Sequence, residues 1–350
     1  MTLEETIRQI RPLDEEAMER AWRHWDSIAK PLRSLGKLEK ALVQIAGIQR
    51  DEKIRIEKKG LVIMCADNGV VEEGVTQSGQ DVTAIVAENF LDEKSCVAIM
   101  CKKTGTDIFP IDIGMAVDTP RVEKHKIAYG TANMAKEPAM TREQAVAAIE
   151  VGIRKASELS EKGYQILATG EMGIGNTTTS SAMTAVFLGV PVDQVTGRGA
   201  GLSTEGLNRK IAVIEKAIAL HRPDPKDPVD VLSEVGGFDI AGLTGVFLGG
   251  AACGIPVVVD GFISAVAALT AIRIAPECAP YILTSHVSKE PAAVMLLEAL
   301  DKEAFLTCDM CLGEGTGAVA LFPLLDLAAE IYHRMSTFDE VEFETYVPLT

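Results

Sequence analysis

Residues 165–188 read QILATGEMGIGNTTTSSAMTAVFL, and this stretch decides the fold class. An apolar run at 165–168 leads into Gly170-Glu171-Met172-Gly173, and a helical segment at 178–188 follows. Strand, glycine loop and helix in that order make half of a βαβ unit, the crossover that parallel strands require. Gly173 and Gly175 allow close backbone approach, and Asn176-Thr177-Thr178 can open the helix. Exposed amides there, with the helix dipole, would seat a phosphate or carboxylate. The run is not a P-loop, since no Gly-Lys-Ser/Thr follows, and it only approaches GxGxxG, a weak motif alone.

The same alternation continues in both directions. Further apolar β-rich runs lie at 61–65, 108–113, 256–259, 281–283 and 305–308, with helical segments at 81–89, 142–159, 203–221 and 291–300 between them. This predicts an α/β fold: a parallel sheet of about six strands with helices on both faces. Helical spacing of Ala17, Ala21 and Trp25 after Pro12, a second helix at 37–50, and the C-terminal run VALFPLLDLAAEIYHRM predict a small helical domain built from both termini. The expected division is residues 1–50 with 325–350 against a catalytic domain of 51–324. Residues 240–259 carry no charge over 20 positions, but Gly249-Gly250 and Gly254-Ile255-Pro256 break the run. A buried helix followed by a buried strand is the expected reading, and not a membrane span.

Composition narrows the function. The chain has 350 residues, 47% of them hydrophobic, and a formal charge of −16 with 34 Lys and Arg. No basic run gathers those cations, so nucleic acid is excluded as a partner. The start, MTLEETIRQIRPL, lacks an apolar signal core, and seven cysteines in so large a chain read as reduced thiols, so a cytoplasmic location is expected. Cys308 and Cys311 have metal-pair or redox spacing but no second pair or His pair beside them, so no metal site is expected.

In open parallel sheets ligands sit beyond the carboxyl ends of the strands. Acids stand at five such ends: Asp67, Asp112, Glu171, Asp260 and Glu314. A single acid beside glycine is commonly a turn, but five point to one rim. The turn GRGAGL, with Gly199 and Gly201, is a second glycine-rich element before a helix, and that helix carries Lys210, a candidate phosphate or leaving-group contact. Glu314 lies within LGEGTGA, where flanking glycines let a planar substrate approach. Burial would raise its pKa into the range of a usable base.

Together these pieces resemble the nicotinate-nucleotide–dimethylbenzimidazole phosphoribosyltransferase family over nearly the whole chain. The carrying segments are KPLRSLGKLEKALVQIAGIQ, ADNGVVEEGVTQSGQDVT, GEMGIGNTTTSSA, VTGRGAGL, GGFDIAGLTGVFLGGAA, PVVVDGFISAVAAL, SHVSKEPA and LGEGTGAVAL. The resemblance implies a Rossmann-like topology, a homodimer and no cofactor. It makes Glu314 the catalytic base, and sets Glu171 and Lys210 around the ribose and departing nicotinate. It gives Gly173, Gly175, Asn176, Thr177, Gly199, Gly201, Ser288 and Asp260 to the nucleotide and its phosphate. Ser78, Gln80, Met172 and Leu312 would surround the incoming base. The family usually reads ADHG where this chain has Asn68, and Gln77-Ser78-Gly79-Gln80 lacks the usual aromatic and proline.

The implied reaction moves ribose 5-phosphate from nicotinate mononucleotide to an aromatic base and yields the α-ribotide used in cobamides. Dimethylbenzimidazole is the default acceptor; another benzimidazole, a purine or a phenol stays open. A phosphoribosyl-pyrophosphate enzyme is the nearest rival, but VVVDGF lacks the second acid and the Thr-Gly loop. A dinucleotide oxidoreductase would need a cleaner GxGxxG. A non-catalytic nucleotide sensor would bind without forming product.

Overall fold

The sheet runs β3-β2-β1-β4-β5-β6, every pair parallel. Its strands are β1 (Lys59–Ala66), β2 (Thr106–Gly114), β3 (Glu123–Lys124), β4 (Ile166–Met172), β5 (Val257–Val259) and β6 (Ile282–Thr284). These come from a computed structural model that describes residues 1–342, 344 and 346. The order is that of a Rossmann-like doubly wound sheet, as expected, and it reverses between β1 and β4. β1 is buried at every position, as a central parallel strand must be. Its side chains alternate between two cores: Val62, Met64 and Ala66 enter one, Leu61, Ile63 and Cys65 the other.

The run expected as a sixth strand at 305–308 is corrected. Only Leu306 pairs, through one bridge to His286, and Cys308 is exposed. A further parallel strand outside β6 would need apolar cover on both faces, which three apolar residues flanked by polar ones cannot provide. The sixth strand is instead the two-residue edge β3.

The uncharged segment folds as expected into the buried helix Phe238–Cys253 followed by β5. That helix crosses Arg142–Glu161 so closely that a methyl group on Gly245 would overlap the Ile149 carbonyl, and one on Gly152 would overlap the Gly242 carbonyl. Among the described residues no helix is long and apolar enough to cross a membrane.

The helix Glu15–Ser27 starts at Asp14, whose Oδ1 accepts the Ala17 N–H at 2.9 Å, so Pro12 lies just ahead of the cap. Trp25 packs edge-on against Tyr332 of the last helix, Thr316–Arg334, with ring centres 5.0 Å apart. This helix is unbroken across position 325, and it lies with Glu15–Ser27 and Lys37–Gln49 on one face of the sheet. Helix Leu3–Gln9 packs on the other face, against Arg142–Glu161 and Phe238–Cys253. Of the expected 325–350 unit, positions 343, 345 and 347–350 lie outside the described residues.

Candidate active site

Where the strand order reverses, the chain leaving β1 and the chain leaving β4 turn to opposite faces and open a crevice. A cleft of about 310 Å³ lies there. Glu171, Met172 and Gly173 reach it from the end of β4, and Asn176 and Thr177 from the helix Asn176–Leu188. Asp260 and Ser288 enter after β5 and β6, and Leu312 and Glu314 from the loop before the last helix. Gly199 closes the edge. Ten of the expected site residues therefore meet in one place.

Glu314 sits on an unusual backbone. Gly313, Glu314 and Gly315 have φ of +88°, +63° and +94°. Three successive left-handed residues fold the chain sharply, and the middle one is costly for a residue with a Cβ. The surroundings enforce it. A methyl group on Gly170 would lie 2.5 Å from the Glu314 carbonyl oxygen, so β4 has room for this turn only because that residue is glycine. The Glu314 carboxylate accepts the Val97 N–H near the start of helix Cys96–Thr104, while its Oε2 is buried with no hydrogen-bond partner. Burial raises its pKa, and the charge of Asp260 adds to this. A half-buried carboxylate with an unoccupied oxygen is suited to take a proton.

Asp260, expected at the nucleotide, lines the cleft and also has structural bonds to make. Its Oδ1 accepts the N–H groups of Gly317 at 2.6 Å and Ala318 at 3.2 Å, and its Oδ2 accepts Gly315 at 3.0 Å. It caps the last helix across the sheet. A carboxylate committed to three amides holds the Glu314 turn, and its charge would repel a phosphate. His286, which also faces the cleft, stands beside it.

Glu171 is 7% exposed. Burial, then the charges of Asp239 and Asp260, push its pKa up to about 8. Asn176 Nδ2 donates both to Glu171 Oε2 and to Asp239 Oδ2, the latter at 3.0 Å. Across the cleft, Lys210 is 1% exposed and does not line the cavity. Its Nζ donates to Thr177 Oγ1 at 2.8 Å and to Gly197 O at 3.2 Å, tying together the two glycine-rich elements. Burial lowers its pKa to about 8.

Gly175 serves the site indirectly, as the left-handed cap of helix Asn176–Leu188 (φ +96°). Gly201 carries the carbonyl that Gln77 Nε2 binds, which links the loop after β1 to the GRGAG turn. Ser78 and Gln80 do not line the cleft; Gln80 Nε2 donates to the Asn68 carbonyl at 3.1 Å. Two of the five rim acids also stay behind it. Asp67 accepts Thr83 Oγ1 at 2.6 Å and the Ala116 N–H at 2.8 Å. Asp112 accepts the Met115 N–H at 2.9 Å and pairs with Lys126 at 3.3 Å. Both are loop fasteners.

Val86, Glu290 and His286 line the cleft without having been singled out in the sequence. Glu290 Oε2 is buried and unpartnered over Gly197, and burial raises its pKa. SHVSKEPA contained both polar residues, but its turn gives no periodic signal for which side chains face inward. Among the described residues, no three His, Cys, Asp or Glu side chains gather to hold a metal ion.

A family model described as a phosphoribosyltransferase matches residues 10–342. The nicotinate-nucleotide–dimethylbenzimidazole phosphoribosyltransferase of Ruminiclostridium cellulolyticum is 49% identical over 351 residues, spanning 100% of both chains. The chain belongs to this family. The Acetivibrio thermocellus member is also 49% identical, covering 98% of this chain and 99% of its own. The crystal structure of CobT from Thermus thermophilus superposes with a TM-score of 0.89 at 38% identity, covering 94% of this chain and 99% of that one. Family membership thus agrees with the resemblance carried by GEMGIGN, GRGAG and LGEGTGA.

Proposed function

We propose that this protein transfers ribose 5-phosphate from nicotinate mononucleotide to 5,6-dimethylbenzimidazole, releasing nicotinate and forming the α-ribotide for cobamide assembly. The observation that carries the reading is the buried, unpartnered Oε2 of the half-buried Glu314, in the same cleft as the amide-rich start of helix Asn176–Leu188.

In this reading the nucleotide phosphate binds at residues 173–177 and at the GRGAG turn, with Ser288 beside it. Lys210 keeps the two elements in register. Met172, Leu312 and Val86 give the flat base an apolar wall, while Ser78 and Gln80 belong to the loop beyond it. Glu314 takes the N–H proton of the base as the other ring nitrogen attacks the anomeric carbon. The bond to nicotinate breaks, its electron pair neutralises the pyridinium ring, and attack from the opposite face turns a β-linkage into an α-linkage. Glu171, as a carboxylate, offsets positive charge developing on the ribose. Holding both partners at reacting distance supplies most of the acceleration. Asp260 is assigned to positioning Glu314. A cytoplasmic homodimer, with residues 1–50 and 325–350 as its helical unit, completes the reading.

The test incubates the pure protein with nicotinate mononucleotide and a panel of benzimidazoles, adenine and phenols, followed by mass spectrometry. A ribotide of dimethylbenzimidazole together with stoichiometric nicotinate is expected. Nucleotide binding without any ribotide would make the protein a sensor and not an enzyme. Light scattering checks the dimer.

A further inference from the structure

Asp239 has no part in the transfer as described, yet it is the side chain nearest in function to Glu171. It is the second residue of helix Phe238–Cys253 and is fully shielded from solvent. One amide, that of Asn176, donates to Asp239 on one side and Glu171 on the other. The far face of Asp239 carries a second anomaly. Asp239 Oδ1 and Asn68 Oδ1 both lack a hydrogen-bond partner. Both also border the space beside Gly237, where a methyl carbon would lie 2.5 Å from the first and 2.8 Å from the second. Asn68 is oriented by its Nδ2, which donates to the Ile174 carbonyl at 3.2 Å, so its oxygen is the atom left facing Asp239.

Two acceptor oxygens turned toward one dry space are costly unless a hydrogen lies between them, directly or through one ordered water. The neighbouring charges do not relieve them. Asp67 faces Asp239 from the end of β1, and Lys126 is committed to Asp112 and Asp118. Asp260, with His286, and Glu314 face Glu171 from the other side, and Lys210 is held at Thr177 and Gly197. Two buried carboxylates sharing one amide with no cation between them keep a proton as a pair. Burial and charge alone favour Glu171 as its seat, since Glu171 is raised to about 8 and Asp239 to about 6. The hydrogen-bond partners favour Asp239. Glu171 meets donors, the Asn176 amide and the Glu314 N–H. Asp239 also meets the Asn176 amide and the helix-start N–H groups of Asp239 and Ile240, but its Oδ1 has no hydrogen-bonded donor and faces the Asn68 oxygen. A misplaced proton would leave that oxygen pair unsatisfied, so the partners decide.

We infer that Asp239 is a positioning residue that holds the pair's proton on Oδ1 against Asn68, so that Glu171 faces the cleft as a carboxylate. The inference deepens the proposed reading, because the ionised Glu171 is what that reading sets against the ribose.

Asp239→Asn copies the protonated acid: its amide can donate to Asn68 Oδ1 while its oxygen accepts from Asn176. It is expected to keep turnover within about threefold, whereas Asp239→Ala loses at least tenfold, and the alkaline fall in kcat/KM of the parent disappears in the Asn variant. A tenfold loss in a folded Asp239→Asn would overturn the inference. A measurement on the unliganded protein decides the seat even if Asp239→Ala does not fold. The infrared carbonyl band of a protonated carboxyl group should be present at neutral pH, persist in Glu171→Gln and vanish in Asp239→Asn. The opposite pattern places the proton on Glu171 and sinks the idea. Since that band needs no substrate, it stays separable from the ribotide assay.

Discussion

Asp260 holds Gly317: its Oδ1 accepts that N–H at 2.6 Å from the end of a different strand. The bond fixes the first turn of the last helix, and the residues just before that turn present Glu314. The proposed base is therefore placed by an acid that does not itself need to touch substrate. Asp260→Ala should leave three buried amides unsatisfied, costing on the order of 2–4 kcal/mol of stability and lowering kcat more than nucleotide affinity. Urea midpoints together with calorimetric titration of nicotinate mononucleotide check both halves. Unchanged stability would show that the capping bonds contribute little.

Gly170 faces the other side of the same turn. Gly170→Ala places a methyl group 2.5 Å from the Glu314 carbonyl, and backbone cannot yield as a flexible side chain can. Displacement of the turn by about 1 Å is expected to cost roughly 10²-fold in kcat. Nucleotide affinity should stay within a few-fold of the parent. Normal steady-state kinetics in this variant would mean that the turn shifts freely.

Glu314→Gln keeps shape and removes basicity. Turnover should fall about 10²–10⁴-fold, with nicotinate mononucleotide still bound. In the parent, burial holds this carboxyl above the ordinary range. The rate should therefore decline on the acid side at a pH higher than a free glutamate would give. Retention of most turnover removes Glu314 from the role.

The Glu171–Asp239 pair also leaves a mark on folding. Both carboxyls are raised in the folded protein, to about 8 and about 6. The native state thus keeps a proton that the unfolded chain releases above about pH 4. Where the unfolded chain binds fewer protons, stability falls as pH rises, so the loss should run from about pH 4 up to about pH 8, by at most about 1.4 kcal/mol per unit and proton. Urea midpoints measured across this window should slope downward in the parent and less steeply in Asp239→Asn. Equal slopes would contradict a proton shared by the pair.

The parallel sheet was legible because β1 and β4 are apolar runs ending in glycine and followed by helical periods. The site was legible where residue type and a glycine-rich loop coincide, at Glu171, Asn176 and Glu314. It was illegible where an acid's partners are distant in sequence. Nothing local says that Asp67 serves Thr83 and Ala116 while Asp260 serves Gly315, Gly317 and Ala318. Asp239 was hidden for the same reason: within GGFDIAGLTG it reads as the polar start of a buried helix. The segment at 305–308 misled because apolar content marks a strand only when cover exists on both faces. Here the sheet had already ended at β6.

The seam between helices Phe238–Cys253 and Arg142–Glu161 has a consequence for the chemistry. Glycines at 152 and 245 let one rod lie on the other with no side chain between them, so the rod that begins beside Asp239 has a single axial setting. Bulk added in this remote seam would slide or tilt the rod and carry the acid away from the Asn176 amide. The spacing of two backbones thus gauges where a proton can reside, and alanine at Gly245 should harm the reaction without touching the cleft.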